Sequence, residues 1–214
     1  MRQGRDELIQ RLVADAQPVL RPPSPALAAG IWWAGTWAFA LVALLLAGEF
    51  RPGALGQLAG QPRFLLESLA GLAASALLAG FAFGDAVPGR ARPALLAAGL
   101  VLGAAWVLAY VIGLESPALV PGMLGKRPEC FLETLLYSLP PALAGWWFSR
   151  RYYVLLPLRN AVVLTLAAAM VPALAMQFAC MYEPAHILTH HILPIPLVVA
   201  TAALLQAAVL AWRR

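Results

Sequence analysis

Of 214 residues, 62% are apolar and only 12% are charged, a balance that excludes a large soluble domain and describes a chain dissolved mostly in lipid. A net charge of +5 with a pI near 9.8 would suggest a nucleic-acid partner in a soluble protein. Here the basic residues flank apolar runs and are read as topology signals, so direct nucleic-acid binding is not expected.

The chain divides into a tail (1–25), a six-helix domain (26–212) and a two-residue C-terminus (213–214). In the tail, Leu8, Ile9, Leu12, Val13 and Ala16 recur at helical spacing, with Arg5, Asp6, Gln10, Arg11 and Asp15 largely opposite. This predicts an amphipathic helix over 5–16, of about three turns. So short a helix is marginal alone in water and needs a surface to lie on. Membrane lipid is one such surface, but Asp6, Glu7 and Asp15 would be repelled by anionic headgroups, which favours a protein groove that takes Leu8, Ile9, Leu12 and Val13. Pro18 ends the helix, and Arg21-Pro22-Pro23-Ser24-Pro25 forms a stiff connector. The tail has charges throughout and no continuous apolar stretch, so the first span is expected to act as an uncleaved anchor. No lipid-attachment motif stands out.

Six apolar runs follow, over 26–47, 64–83, 93–114, 131–148, 160–180 and 193–212. Each approaches the ~20 residues that an α-helix needs to cross the hydrocarbon core, and a β-barrel would instead show ~10-residue alternating segments. The expected fold class is therefore an all-α membrane protein with six transmembrane helices. The joints are short and rich in proline, so neighbouring helices should be antiparallel. Pro140 and Pro141 predict a kink in the fourth span. Gly99 and Gly103 form a small-residue ridge suited to helix packing inside the bundle.

Charge fixes the expected orientation. Of the fifteen Lys and Arg, eleven (Arg2, Arg5, Arg11, Arg21, Arg90, Arg92, Arg150, Arg151, Arg159, Arg213, Arg214) fall on one side and four (Arg51, Arg63, Lys126, Arg127) on the other. The richer side should be cytoplasmic, which puts both termini of this multi-pass chain inside the cell. Trp32, Trp33, Trp146, Trp147, Trp212, Tyr152 and Tyr153 are expected to form an interfacial belt on that side. Glu67 and Glu133 lie within spans near the opposite rim, where outward snorkelling is expected.

That opposite rim also gathers the candidate chemistry. Cys130 opens the fourth span and Cys180 closes the fifth, and three readings stay open: a disulfide, a thiol or metal-sensitive pair, and two bland packed cysteines. His186 and His190 stand four apart and would share a helical face, so Cys130, Cys180, His186 and His190 make a candidate set for a thiophilic divalent metal. The metal would act as a signal, and no resident cofactor is expected. There is no phosphate loop and no nucleophile elbow, so an enzyme is not expected. Few polar residues lie at mid-membrane, yet a small metal-ion or solute permease remains the alternative function.

The tail pattern Asp6-Glu7-Leu8-Ile9, Leu12, Asp15, Pro18-Val19, Arg21 and Pro25 before a Trp-containing span resembles the start of the NrsF-type anti-sigma factors. The likeness continues in Cys130-Phe131, Ser138-Leu139-Pro140, and Cys180 with Glu183. It departs at His190-His191, where the family has a Trp-rich stretch opening its last helix. The resemblance implies a six-helix inner-membrane protein whose tail holds an extracytoplasmic-function sigma factor. It also implies that stress sensed around Cys130 and Cys180 releases that partner.

Overall fold

The computed structural model describes residues 2–15 and 22–212, without the side chains of Arg2, Gln3 and Leu8. The expected stop at Pro18 and the basic pair Arg213 and Arg214 lie outside the described residues. Helix α1 (Arg2–Ala14) is the predicted tail helix. After it come α2 (Pro25–Ala47), α3 (Ala54–Gly60), α4 (Pro62–Asp85), α5 (Pro93–Gly113), α6 (Cys130–Ser149) and α7 (Pro157–Ala179). A single turn, α8 (Pro184–His186), runs through a π-helical segment (Ile187–Ile192) into α9 (Pro194–Trp212). Among the described residues there is no strand.

Proline begins most of these helices. Pro25, Pro62, Pro93, Pro157 and Pro184 each occupy a first-turn position, where the missing N–H has no intrahelical partner to lose and the fixed φ already suits the helix. At α2 the start is reinforced by Ser24, whose Oγ accepts the Leu27 N–H at 3.3 Å. Helix α3 was not foreseen, because seven residues of Gly, Ala, Leu and Gln carry no readable period.

Five helical stretches are long and apolar enough to cross a membrane: α2, α4, α5, α7 and the continuous Pro184–Trp212. The more polar α6, with Glu133, Thr134 and Ser138, stands beside them. The hub is α7, of whose most apolar 18-residue window 83% is buried, against 17% for α5 and 28% for α2. Its sequence explains this position: Ala167, Ala168, Ala169, Ala173, Ala175 and Ala179 let α2, α4, α6 and α9 approach closely. The outer faces of α2 and α5 are left for lipid.

The glycine ridge of α5 is used inside the chain. A Cβ on Gly99 would come within 2.9 Å of Leu78 on α4, and Gly103 faces Met170 and Ala74. A similar contact joins α2 to α6, where a Cβ on Gly145 would lie 2.8 Å from Trp32 Nε1. That indole donates to Pro141 O at 3.0 Å, and the neighbouring Trp33 donates to Ser75 Oγ on α4 at 3.1 Å. Trp32 is therefore a buried packing residue and not part of an interfacial belt. Trp147, Tyr153 and Trp212 are exposed as that expectation requires.

The bundle has two distinct ends. One gathers Pro23, Asp85, Tyr152 and Arg159: Arg159 forms a two-point ion pair with Asp85, and Tyr152 OH donates to Pro23 O at 2.8 Å. The other holds Arg51, Arg127, Cys130, Cys180 and Tyr182.

Candidate metal centre

Cys130 is the first residue of α6, and Cys180 caps the end of α7, its N–H bonded to Met176 O at 2.8 Å. Because α6 and α7 are antiparallel neighbours joined at the far end of the bundle, their near ends bring the two thiols together. Both are buried and free, with Sγ atoms 2.8 Å apart, and Cys130 Sγ also donates to Arg127 O at 3.2 Å.

The chain then turns back over the thiols. Glu183 caps the last span by accepting from Ala185 N–H and His186 N–H, and this holds His186 with its Nε2 3.4 Å from Cys180 Sγ. Beyond His186 the helix widens to π geometry, with Leu193 N–H reaching back five residues to Leu188 O at 3.0 Å. The wider turn brings His191 inward. One ligand atom from each of Cys130, Cys180, His186 and His191 lies within 4.8 Å of the others.

His190 does not join this set. Its ring stacks on His186 at 4.2 Å between centroids, and its Nδ1 contacts Thr189 Oγ1 at 2.8 Å. The four-residue spacing that selected His190 assumes an α-helix throughout, and the π segment moves the inward position on by one. Periodicity carries no signal for that change.

His191 is fully buried, and neither of its ring nitrogens has a hydrogen-bond partner within the protein. Orphaned polar atoms at that depth are rare because each forfeits its hydration without compensation. Two thiols and two imidazoles are the donor set of a four-coordinate, zinc-like ion, whose ligand atoms at ~2.0–2.3 Å from the metal would be roughly 3.3–3.8 Å apart. The widest separation in the set, up to 4.8 Å, would close by about 1 Å and the 2.8 Å thiol pair would open by about as much, adjustments small enough that the residues fit such an ion.

The surroundings supply positive charge and rigidity. Arg51 is buried, donates to Gln177 O at 3.3 Å and lies over the rings of Phe64 and Tyr182. Burial pulls its guanidinium below the usual range, while Cys180 acts in the opposite sense. Arg127 binds both oxygens of Glu133, at 2.9 and 3.1 Å. Glu133 therefore does not snorkel free, and nor does Glu67, which is buried between Arg63 at 3.6 Å and Tyr182 OH at 3.4 Å.

Tyr182, two residues beyond Cys180, ties the loop over 114–129 to this end of the bundle. Its hydroxyl accepts from Ala118 N–H at 3.2 Å and its carbonyl from Gly122 N–H at 3.1 Å. Burial pushes the phenol up to about 12, so it remains a donor toward Glu67. In the same loop Gly125 has φ +80°, and an added Cβ would lie 2.9 Å from Arg51 Cβ. Backbone conformation and space both require glycine there.

At the opposite end of the chain, Ile9, Leu12 and Val13 on α1 are exposed, while the Leu8 side chain lies outside the described residues. Arg11 pairs with Glu7 one turn away at 3.1 Å.

No curated protein and no solved structure matches the chain. The family model of NrsF, described as negative regulator of sigma F, matches residues 12–212, which include every residue of the centre and the last two apolar positions of the tail helix. The chain belongs to the NrsF family of negative regulators of sigma F.

Proposed function

We propose that this protein is a six-span inner-membrane anti-sigma factor with both termini in the cytoplasm. It sequesters an extracytoplasmic-function sigma factor on the apolar face of α1 and releases it when Cys130 and Cys180 react with a stress agent on the periplasmic side. The eleven-to-four division of basic residues supports the orientation. The 20-residue length of α6 and its packing between α2 and α7 support a sixth span.

The observation that carries the reading is that one helix pair, α6 and α7, holds the buried thiols at one end and at the other, through Tyr152, contacts Pro23 of the segment that leads from the tail into α2. A soft divalent ion bound by Cys130, Cys180, His186 and His191 would replace the two thiol protons and set the sulfurs ~3.8 Å apart instead of 2.8 Å, shifting the near ends of α6 and α7 relative to one another. An oxidant of sufficient potential would take two electrons and two protons from the same pair to make a disulfide. Either event acts on helices whose far ends share the loop 150–156, where Tyr152 grips Pro23 at the root of the arm. The agent biases this equilibrium only through its different affinity for the two states.

Two experiments test this. Truncating Leu8 and Leu12 together to Ala should weaken sigma-factor binding by several kcal/mol, since buried Leu→Ala changes cost ~2–5 kcal/mol each, and unchanged affinity would refute the docking face. A Cys130→Ser, Cys180→Ser variant should keep the sigma factor bound when metal or oxidant is added, so sigma-dependent transcription stays low. Undiminished induction in that variant removes the cysteines as sensor.

A further inference from the structure

At the end of the bundle opposite the thiols, α2 and α5 both pack on α4 and leave a cleft of about 500 Å³ between them. Its floor is the smallest face of α4, Ala76, Gly80 and Gly84, spaced four apart and therefore in line. Along α4 this strip is ~12 Å long at 1.5 Å per residue. Gly30 and Trp33 of α2 form one wall and Leu95 of α5 the other. The floor belongs to a helix long and apolar enough to span a membrane, so whatever fills the cleft reaches into apolar depth.

The mouth has a different character. Arg90 and Arg92, on the α4–α5 connection, line it and are exposed. Among the described residues no carboxylate lies within ion-pair distance of either, whereas Arg159 nearby is committed to Asp85. The first turn of α2 opens at the same mouth: Ser24 takes the N–H groups of Leu27 and Ala28, while the Ala26 N–H stands at the positive end of a 23-residue helix. Two unpaired guanidinium groups and a helix N-terminus above an apolar slot complement a phosphate carrying an acyl chain.

We propose that this cleft binds one anionic phospholipid, its phosphate on Arg90 and Arg92 and one chain along the glycine and alanine floor beside Trp33. The occupant is a lipid and not a protein segment because the slot lies at membrane depth and its walls are apolar helix faces. Glycine is the device that keeps it open. A Cβ on Gly30 would meet nothing within 4 Å, and one on Gly80 only Leu95 Cδ1 at 3.7 Å.

The test uses the full chain in nanodiscs of phosphatidylcholine with a minority of phosphatidylglycerol, with native mass spectrometry reading the retained lipid. Phosphatidylglycerol should be retained over phosphatidylcholine by at least roughly tenfold, given two basic contacts at the headgroup level. Arg90→Gln with Arg92→Gln should bring retention to parity. Gly30→Leu, which fills the slot and favours the helix, should abolish retention with both arginines present and the melting temperature maintained. Arg150→Gln with Arg151→Gln, at the same end but outside the cleft, should leave it unchanged. Equal loss in that control pair would make the effect diffuse charge and overturn the proposal. It is equally overturned if the Arg90 and Arg92 variant keeps its lipid but loses sigma-factor affinity, since the mouth would then be a protein contact.

Discussion

Buried imidazoles normally spend both nitrogens on hydrogen bonds, and His191 spends neither within the protein. Its neighbour His190 is nearer the surface and already engaged with Thr189 and the His186 ring. The two residues should therefore behave oppositely. His191→Ala should weaken Zn²⁺ or Cd²⁺ binding to the full chain by more than the ~10–100-fold that loss of an outer partner costs, whereas His190→Ala should change it little. Competition against a chelating dye measures both, and the reverse order would reject the ligand set. That two thiols and the histidines gather at one rim was legible in the sequence, because Cys130 opens one apolar run, Cys180 closes another, and the histidines follow within a dozen residues. The choice between His190 and His191 was not legible, since it depends on a π turn that replaces four-residue by five-residue hydrogen bonding. Glu67 and Glu133 were misjudged for a related reason: their partners, Tyr182 and Arg127, come from loops whose path no period predicts.

At the level of elements, the lever of the proposed mechanism is α6 with α7. Cys130 and Cys180 hold one end, and Ser149 and Pro157 bound the loop at the other. From that loop Tyr152 bonds to Pro23, and burial raises its phenol above the ordinary range, so it stays a donor at physiological pH. Tyr152→Phe removes one hydrogen bond, about 0.5–1.5 kcal/mol, from a partly exposed contact. Thermal stability should be nearly unchanged. Sigma-dependent transcription in response to metal should be blunted or constitutively shifted, because the loop no longer reports to the arm. A reporter response identical to that of the wild type would place the coupling elsewhere. The apolar runs marked out these helices to within a few residues, except that the last helical stretch begins at Pro184, nine residues before the apolar run at 193. The joints do not show in such runs: α3 is too short, and the histidine segment continues into α9 because Glu183 caps it upstream.

Across the whole molecule, one alanine-rich helix, α7, sits within the others, and the thiol centre and the Tyr152–Pro23 contact lie at opposite ends of the bundle. The proposed regulation needs such a polarity, since a stimulus on one side would have to alter binding on the other without any molecule passing through. The hydropathy pattern made the all-helical architecture readable from the chain alone, because lipid permits few solutions to the backbone hydrogen-bond problem. The packing order was not readable: nothing in the apolar runs singles out α7 as central until the small residues of all six are compared against their neighbours. The most direct measurement follows the sigma factor itself. In intact cells producing the full chain, the fraction of sigma factor that sediments with the membrane should fall within minutes of adding Cd²⁺ for the wild-type protein, and should stay constant for the Cys130→Ser, Cys180→Ser variant. Retention on the wild-type membrane after Cd²⁺, or release from the serine variant at the same rate, would contradict transmembrane control by the thiol centre.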